Sequence, residues 1–448
     1  MRRIKNPLPE RSIEQSSPFI LGINPWIHDF AAYDFWARPL GLLLLLGMLR
    51  SRGARVAYYD CLGAGQKPSA RLGRAPYPKT PLPKPTGLFD ITRTFSRYGL
   101  TPERVREELS RIGAPDLVLV TSLMTYWYPG VAETIALVRE VFPKAPIILG
   151  GVYATIYPEH AARICGPDAV ITGPGETSLA EAVARYTRWN PAPLSDPHDF
   201  PPALDLLGSL PFAPLLTSRG CPYACAYCAS RYLEPAYYRR DPDTVAAEIR
   251  YWHEKYKTQD FVFYDDALLV NGPDHLFPVL KQILSWGLDL RFHTPNAVHI
   301  RHLTQEAADL LYKAGCRTLR LGLETTDFEG RGSLDQKLTR QEFLQAAAHL
   351  KKAGFGPKTA GAYILAGLPG QDYDLLGQSI RLAREAGILP ILTHYSPLPH
   401  TRLWDAAKQS SRYDLESDPI FTNRAVCPCQ KEPFSWERLS ALKRLALG

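Results

Sequence analysis

Short apolar segments alternate with segments of helical periodicity along most of the sequence, and this alternation restricts the chain to folds with parallel sheets. A parallel pair of strands needs a crossover connection, which is usually a helix. The predicted strands of the first half are 18–24, 55–60, 117–121, 146–149 and 169–172. Those of the second half are 215–218, 260–264, 290–294, 317–322, 359–366 and 389–394. The predicted fold class is therefore α/β.

A stretch rich in proline and aspartate separates the two runs of strands and predicts two domains. The first is predicted to be a Rossmann-like (flavodoxin-like) sheet, and the second a partial (β/α)6 barrel of the TIM type. Residues 63–87 are proline-rich and have no periodicity, so an irregular excursion is expected there. The predicted segments are an extension 1–17, a Rossmann-like domain 18–190, a linker 191–211, a barrel domain 212–405 and an extension 406–448.

The bulk composition is that of a globular protein. The chain has 448 residues, 45% of them hydrophobic, and a net charge of +7, which does not indicate nucleic-acid binding. The longest aliphatic run, 42–46, is far shorter than the roughly 20 residues of a membrane span, so it predicts a buried helix and no membrane association. The basic start is followed by prolines and charges rather than an apolar segment, so we expect no signal peptide and a cytoplasmic protein.

Three of the eight cysteines, Cys221, Cys225 and Cys228, lie within one short loop. Clustered cysteines in a reducing compartment indicate a metal site, since thiolates ligate both zinc and iron–sulfur clusters. Structural zinc sites normally use two separated pairs of ligands, whereas these cysteines have no close fourth partner. A cluster held by three thiolates keeps one iron open for a substrate or cofactor, and this is the interpretation that we favour.

The spacing Cys-x3-Cys-x2-Cys, with Tyr227 before the last cysteine, resembles the signature of the radical S-adenosylmethionine (SAM) superfamily. The resemblance implies a 4Fe–4S cluster on Cys221, Cys225 and Cys228, whose open iron binds the amino and carboxylate groups of SAM. Reductive cleavage would then give methionine and a 5′-deoxyadenosyl radical, so the cofactors carry the difficult chemistry. It also implies an electron donor such as flavodoxin or ferredoxin.

Later motifs at the ends of predicted barrel strands resemble the same superfamily. Asp265 and Asp266 resemble its acidic second-strand motif, which contacts the methionyl amine of SAM. Asn296 closes the third strand, and Glu324 closes the fourth, where the superfamily places polar groups near the ribose and methionyl moieties. Gly367, within Gly-Leu-Pro-Gly, resembles the fifth-strand glycine motif that approaches the adenine. Each motif is weak alone, and the ordered set indicates a barrel that binds SAM.

The first half of the chain resembles the cobalamin-binding domain that is fused to many of these enzymes. Gly150, Gly151 and Thr155 follow one predicted strand, and Gly173 and Glu176 follow the next. The resemblance implies that the glycines let the backbone approach a flat, bulky cofactor. The Asp-x-His-x-x-Gly motif that supplies a histidine to cobalt is absent before residue 190. Cobalamin without a protein histidine ligand is the expected second cofactor, and a domain that holds no cofactor is the alternative.

These resemblances imply a cobalamin-dependent radical enzyme that methylates an unactivated centre of a small molecule or peptide. One alternative is a cobalamin-independent radical enzyme that performs cyclisation, rearrangement or hydrogen abstraction. Another is a non-catalytic protein that senses cobalamin or redox state. Methylthio transfer to RNA is disfavoured, because the first half offers only Cys61 and Cys165 as ligands for a second cluster.

Three further features have no single assignment. Cys427 and Cys429 suit either a second metal or redox site or simple packing. His394, at the end of the sixth predicted barrel strand, either faces substrate or is an ordinary strand-end histidine. The aromatic residues 126–128 suit stacking on a planar ligand, although packing is the commoner role of such side chains.

Overall fold

The computed structural model describes residues 17–63, 72, 74–189, 200–335, 338–430 and 435–447. Two α/β units follow each other along the chain, which confirms the predicted fold class. In the described ranges, no helix is both long and apolar enough to cross a membrane. Nearly all of the predicted extension 1–17, and residues 191–199 of the predicted linker, lie outside the described residues, and the domain boundaries stay predictions.

The first unit is built on a parallel sheet. Its strands are β1 (Phe19–Asn24), β2 (Ile27–Asp29), β3 (Arg55–Asp60), β4 (Lys79–Pro81), β5 (Ser96–Tyr98), β6 (Leu117–Val120), β7 (Ile147–Leu149) and β8 (Ala169–Val170). Its helices are α1 (Leu40–Ser51), α2 (Pro102–Ser110), α3 (Tyr128–Val141), α4 (Val152–Ile156), α5 (Pro158–Cys165) and α6 (Gly175–Thr187). Five strands pair in the order β3-β1-β6-β7-β8, which is the order of a flavodoxin-like sheet.

Helix α1 shows why the apolar run of the sequence is buried. Leu43 and Leu46 are fully buried, and a Cβ on Gly22 of β1 would lie 2.6 Å from Leu46 Cδ1. Leu43 also belongs to the same buried cluster as Leu215 of the second unit. The helix therefore packs on the first sheet and contributes to the core of the second unit, and the predicted buried helix is confirmed.

A small antiparallel sheet in the order β2-β5-β4 accompanies the first unit. The prediction of an irregular excursion over 63–87 is wrong at β4, which pairs with β5 through Lys79 and Tyr98. Because β4 is an edge strand, Pro81 fits there without the loss of a ladder hydrogen bond. Residues 64–71 and 73 of the excursion lie outside the described residues.

The second unit is a partial barrel. Its strands are β9 (Ala213–Leu215), β10 (Ser218–Arg219), β11 (Tyr238–Arg239), β12 (Asp260–Phe263), β13 (Arg291–His293), β14 (Cys316–Glu324), β15 (Ala360–Ala366) and β16 (Leu389–His394). Its helices are α7 (Ser230–Leu233), α8 (Pro242–Tyr256), α9 (Leu276–Ser285), α10 (Gln305–Lys313), α11 (Arg340–Ala353) and α12 (Tyr373–Glu385), followed by α13 (Trp404–Ser410) and α14 (Trp436–Leu447). Six strands pair in parallel in the order β9-β12-β13-β14-β15-β16, as a partial (β/α)6 barrel requires.

The first barrel strand, predicted at 215–218, starts two residues earlier and ends three residues earlier than expected. The strand β9 ends at Leu215, and the chain then turns away from the sheet. The backbone N–H groups of Thr217 and Ser218 donate to the Asp265 carboxylate instead of to a neighbouring strand. Ser218 pairs with Arg239 in the short antiparallel ladder of β10 and β11, and the Asp265 side chain accepts the N–H groups that face the barrel strand β12.

The chain after the barrel returns across the boundary between the two units. We call residues 418–427 the bridging segment. Asn423 in this segment donates to Asp29 Oδ1 at 2.8 Å, and the Thr422 hydroxyl lies 3.1 Å from that of Thr125. On the barrel side, the Ser396 hydroxyl donates to the Thr422 carbonyl at 2.7 Å. The bridging segment therefore fastens the first unit to the end of β16.

Candidate active site

The three predicted cluster cysteines lie on one loop, residues 220–229, which follows the first barrel strand. The Ala226 N–H donates to the Leu334 carbonyl at 2.8 Å, which pins the turn of this cysteine loop. Gly220 has a φ of 72°, and a Cβ there would lie 2.4 Å from the Ala236 carbonyl oxygen. Only glycine fits this approach. These contacts fix the backbone that carries the thiols.

The arrangement of the thiols fits a cubane cluster. Cys221, Cys225 and Cys228 are within electrostatic reach of one another; the first two are half-buried and the third is exposed. No three Cys, His, Asp or Glu side chains of the described ranges are close enough to share a single metal ion. A 4Fe–4S cluster needs no such convergence, because each thiolate binds a different iron. The loop therefore fits a cluster better than a mononuclear zinc site.

Two polar groups that sequence analysis did not single out contact the sulfurs of Cys221 and Cys228. His299 Nε2 lies 3.5 Å from Cys221 Sγ, and the Ser230 N–H points at Cys228 Sγ from 3.4 Å. Burial raises the pKa of Cys221 to about 11, so a bound metal would be needed to hold this sulfur as a thiolate. Donors aimed at cluster sulfurs tune such sites. Neither group belongs to a recognisable motif, because each reaches its sulfur only in the folded protein.

The two acids after β12 face different ways. Asp265 is buried, and its Oδ1 accepts hydrogen bonds from the hydroxyls of Thr217 and Ser218, both at 2.7 Å. Burial raises the pKa of Asp265, although these hydrogen bonds oppose the rise. Asp266 is exposed and lies close enough to Cys221 for their charges to interact. Asp265 thus braces the start of the cysteine loop, and Asp266 is the acid beside the cysteines.

Glu324 ends β14 in a strained conformation. Its φ of 61° lies in the left-handed region, and the pairing with β15 shifts register between Gly322 and Glu324, as at a β-bulge. The bulge turns the side chain back over the strand, so that a Cβ on Gly322 would lie 3.1 Å from Glu324 Oε1. The Glu324 carboxylate is within electrostatic reach of Tyr227 in the cysteine loop. Strain of this kind clusters at functional sites.

Asn296 and Gly367 lie at the ends of their strands, as predicted. Asn296 is exposed, and its amide donates to the Tyr264 carbonyl at 2.7 Å. Gly367 has a φ of 90°, and a Cβ there would meet no atom within 4 Å. Gln371, which sequence analysis missed, closes the Gly367 turn: Oε1 accepts from the Gly367 N–H and Nε2 donates to the Leu365 carbonyl, both at 2.7 Å. The only sequence signal for this contact was the position of a glutamine four residues after a glycine that ends a strand.

A cavity of about 240 Å³ lies at the carboxyl edge of the first sheet. It is lined by all five residues that the cobalamin resemblance identifies: Gly150, Gly151, Thr155, Gly173 and Glu176. The Thr155 hydroxyl accepts from the Gly173 N–H and donates to the Gly151 carbonyl, both at 2.9 Å. At Gly151, where φ is 97°, a Cβ would lie 2.2 Å from the Ser122 carbonyl oxygen. The two glycine loops are therefore joined to each other, and the close approach to Ser122 requires a glycine at position 151.

The lining of this cavity fits a flat ligand that is held without an imidazole. Its described lining residues include no histidine, and the nearby His160 instead bonds the Tyr153 hydroxyl at 2.7 Å. Apolar side chains such as Leu119 and Leu179 form its walls, and a Cβ on Gly173 would meet no atom within 4 Å. Parallel sheets bind ligands at this edge. The residues present fit a cobalamin without a histidine ligand.

Arg219, which sequence analysis missed, connects the cavity to the cysteine loop. It lines the cavity two residues before Cys221 and forms ion pairs with Glu176 and with Glu234, the latter at 2.5 Å. The side chains of the arginine and the two acids are only 15%, 11% and 28% exposed. No sequence signal could have found this role, because Glu176 is 43 residues away.

The aromatic residues 126–128 do not line the cavity. Tyr126 is buried, the Trp127 indole donates to Asp29 at 2.8 Å, and the Tyr128 hydroxyl donates to Asp418 at 2.8 Å. These contacts favour a packing role for the three aromatic side chains over stacking on a ligand in the cavity. They hold the first unit to the bridging segment.

Cys427 and Cys429 are both buried but point to different neighbours. Cys427 Sγ lies 3.2 Å from His394 Nδ1, and Cys429 Sγ lies 3.8 Å from the Ala407 carbonyl oxygen. Across the described ranges no third ligand joins them. The structure therefore gives no support to a second metal site, and it pairs Cys427 with a histidine instead.

Two family profiles match the sequence. The Radical SAM superfamily profile matches residues 215–383, which contain the cysteine loop and the motifs after it. The B12 binding domain profile matches residues 94–183, which contain the glycine loops of the cavity.

Curated proteins and solved structures are similar over longer spans. The uncharacterized methyltransferase PH0819 of Pyrococcus horikoshii is 26% identical over 331 residues, which cover 65% of this chain and 69% of that protein. Cytidylyl-2-hydroxyethylphosphonate methyltransferase of Streptomyces wedmorensis is 22% identical, over 82% of this chain and 77% of that protein. The structure of the radical SAM methyltransferase TsrM from Kitasatospora setae, with tryptophan substrate and a SAM analogue bound, matches with a TM-score of 0.65 at 16% identity. It covers 91% of this chain and 83% of that chain, and it shows a shared fold.

Proposed function

This chain is a radical SAM enzyme with an amino-terminal B12-binding domain, and we propose that it is a cobalamin-dependent methyltransferase. The proposed substrate is a small molecule or peptide that is methylated at an unactivated centre. Two observations support methyl transfer: curated relatives are named methyltransferases, and the TsrM structure of the same fold contains tryptophan as its substrate.

One structural observation carries the proposal. The cavity of the first unit is lined both by its glycine loops and by Arg219, Leu233 and Glu234, which flank the cysteine loop on either side. The site that fits cobalamin therefore lies directly beside the loop that fits the cluster. A methyltransferase of this kind needs its two cofactors next to each other, whereas a cobalamin-independent enzyme does not.

When bound, the cluster and SAM supply a 5′-deoxyadenosyl radical, and cobalamin supplies methyl-transfer chemistry. We propose that Cys221, Cys225 and Cys228 hold the cluster. Gly150, Gly151, Thr155, Gly173 and Glu176 are the proposed cobalamin contacts.

The proposed SAM contacts lie around the mouth of the barrel. Asp266 is the proposed contact for the methionyl amine, and its exposure within electrostatic reach of Cys221 supports this assignment. Glu324 is within electrostatic reach of Tyr227 in the cysteine loop, and these two side chains are proposed to orient the bound cofactor. Asn296 and Gly367 end the neighbouring strands. Asp265 acts on the backbone of the cysteine loop, since its oxygens are occupied by Thr217 and Ser218.

The proposal includes a one-electron donor of the flavodoxin or ferredoxin type and a cytoplasmic location. All eight cysteines are free, which is the state expected in a reducing compartment. Cys228 is exposed, so the proposed cluster position is accessible from the surface of the protein.

The test begins with anaerobic reconstitution of the full chain with iron and sulfide. With dithionite and SAM, the reconstituted protein is expected to form 5′-deoxyadenosine, and a Cys225→Ala variant is not. Absence of SAM cleavage by a protein that carries a full cluster would overturn the assignment as a radical enzyme. The remaining alternative would then be a non-catalytic protein that senses cobalamin or redox state.

Cobalamin dependence is tested separately. The protein is mixed with hydroxocobalamin and desalted, and a retained corrinoid absorbance is expected. SAM cleavage without corrinoid retention would favour the cobalamin-independent alternative. Methyl transfer itself is followed with SAM carrying a deuterated methyl group, which must appear on the product.

A further inference from the structure

A group of basic side chains lies at the carboxyl end of the last barrel strand. His394 ends β16 and pairs with Ala366, the residue before the Gly367 turn. We call Arg93, His394, Arg424 and Lys443 the basic cluster. Burial, together with the charges of the other three residues, lowers the pKa of His394 to about 4. The members come from the loop before β5, from β16, from the bridging segment and from α14, so four separate parts of the chain converge.

The basic cluster has little matching negative charge within the described ranges. Lys443 is half-buried, and burial and the nearby Arg93 lower its pKa, as expected for a cation without a counter-ion. Asp29 is within electrostatic reach of Arg424, but its oxygens already accept hydrogen bonds from Trp127 and Asn423. Asp29 is therefore the described carboxylate that opposes Arg424, and among the described residues no direct ion pair to Arg93, Arg424 or Lys443 is formed.

Cys427 contacts the side chain of His394. Its Sγ lies 3.2 Å from His394 Nδ1, and burial raises the pKa of this thiol to about 11, so at neutral pH the thiol keeps a proton that it can donate to Nδ1. A neutral imidazole whose Nδ1 accepts a hydrogen bond carries its proton on Nε2. His394 Nε2 is buried and has no hydrogen-bond partner in the described part of the chain. A buried N–H donor without an acceptor is costly unless a ligand supplies the acceptor.

The basic cluster faces the end of the barrel where the proposed cofactor contacts lie. The Arg424 guanidinium is within electrostatic reach of Tyr363 on β15. The Tyr363 hydroxyl in turn donates to the Pro295 carbonyl at 2.8 Å. Pro295 directly precedes Asn296, one of the proposed SAM contacts. A ligand group held at the cluster would therefore lie close to the proposed SAM contacts.

We propose that the basic cluster binds an oxyanion of the substrate, a phosphate, phosphonate or carboxylate group, with the His394 Nε2–H as its central donor. This inference rests on the proposed function, because the cluster serves catalysis only if chemistry takes place at this end of the barrel. Charge-assisted hydrogen bonds from several donors give both affinity and a fixed orientation. Such an anchor would hold the substrate carbon in place for methylation. Cys427 is a positioning residue in this arrangement, since it acts only through His394.

The experiment measures binding to the reconstituted full chain by equilibrium dialysis, with labelled inorganic phosphate and labelled acetate as separate probes. We expect saturable binding of at least one probe. Lys443→Met and His394→Phe should each weaken it at least ten-fold. His394→Gln should stay within about three-fold of the wild type, because its amide N–H reaches the place of Nε2. Arg444→Met, which removes an exposed cation from the same helix, should leave binding unchanged.

Cys427 is tested with two variants. Cys427→Ser should keep binding, since a hydroxyl also donates to Nδ1, whereas Cys427→Ala should weaken it and move the His394 ring ¹⁵N shifts away from the Nε2–H pattern. Thermal unfolding identifies any variant that does not fold.

The proposal is overturned if the wild type binds neither probe saturably, or if the folded Lys443→Met and His394→Phe variants bind as the wild type does. These assays involve no turnover. Anion binding with no SAM cleavage would refute the proposed function alone, and the reverse result would refute the anion site alone.

Discussion

The Arg219 guanidinium forms an ion pair with the Glu176 carboxylate across the boundary between the two units, two residues before the first cysteine of the loop. The same guanidinium pairs with Glu234, so one cation holds two acids in the wall of the cavity. Breaking a buried pair leaves an uncompensated charge, which is why such a group is more sensitive than a surface pair. This arginine therefore links the geometry of the glycine loops to that of the cysteine loop.

Arg219→Met should separate the two cofactor sites. We expect a loss of about 3 kcal/mol in the free energy of unfolding, because Glu176 and Glu234 are left unpaired. Corrinoid retention should fall at least ten-fold, while the iron content stays near that of the wild type. The control is Arg139→Met, which removes an exposed pair with Asp168 and should cost less than about 1 kcal/mol. Urea unfolding, absorbance after desalting and iron analysis provide the measurements. Retention equal to that of the wild type would contradict the prediction.

Gly150 allows a substitution that changes the cavity without straining the fold. A Cβ at this position would meet only the Ile171 carbonyl oxygen, at 3.8 Å, which is ordinary contact. Gly150→Val should therefore keep the wild-type unfolding midpoint within a few degrees and reduce corrinoid retention, because its side chain enters the cavity. Gly113→Val is the matched control, since no atom lies within 4 Å of a Cβ there and Gly113 does not line the cavity. If both variants retain corrinoid equally, this cavity is not the cobalamin site.

The sequence alone predicted the parts of this fold and site that local patterns encode. Alternating apolar strands and helices predicted both sheets, and the cysteine spacing identified the loop at Cys221. The contacts that sequence analysis missed are long-range and polar. Arg219 pairs with Glu176, and Asp265 turns inward to accept from the backbone N–H groups of Thr217 and Ser218. Neither arrangement follows from residue spacing, because each depends on how separate elements pack.

Asp265 and Asp266 should behave differently although they are adjacent. Asp265→Ala removes the acceptor for the Thr217 and Ser218 donors, and a buried donor left without an acceptor costs about 1–3 kcal/mol. We expect a large loss of stability together with a reduced iron content. Asp266→Asn keeps an oxygen that can accept the hydrogen bond from Ser230, so it should cost much less stability than Asp265→Ala, and it should weaken SAM binding at least ten-fold. Urea unfolding and calorimetric titration with SAM distinguish the two, and equal effects on SAM binding in two stable variants would refute the assignment.

Glu133 should give the first unit an acid-labile contribution to stability. It lies on α3 and pairs with Arg97 of β5 and with His28 of β2, the latter at 2.8 Å. Although burial alone would raise the pKa of Glu133, the hydrogen bonds and charges of His28 and Arg97 lower it from 4.5 to about 2. Because the pKa is lower in the folded than in the unfolded chain, this stabilisation is complete above pH 4.5 and is lost as the pH falls toward 2. The side chain is 28% exposed, so the contribution is at most about 3 kcal/mol.

Glu133→Gln should therefore lower the free energy of unfolding at pH 7 and flatten its dependence on pH between 4.5 and 2. Urea unfolding at a series of pH values measures both effects. Glu140→Gln is the matched control: Glu140 also lies on α3, but its side chain is 61% exposed in its pair with Arg106. An exposed pair contributes less than about 1 kcal/mol, so this variant should follow the wild-type profile. A Glu133→Gln profile as steep as that of the wild type would show that other groups cause the acid sensitivity.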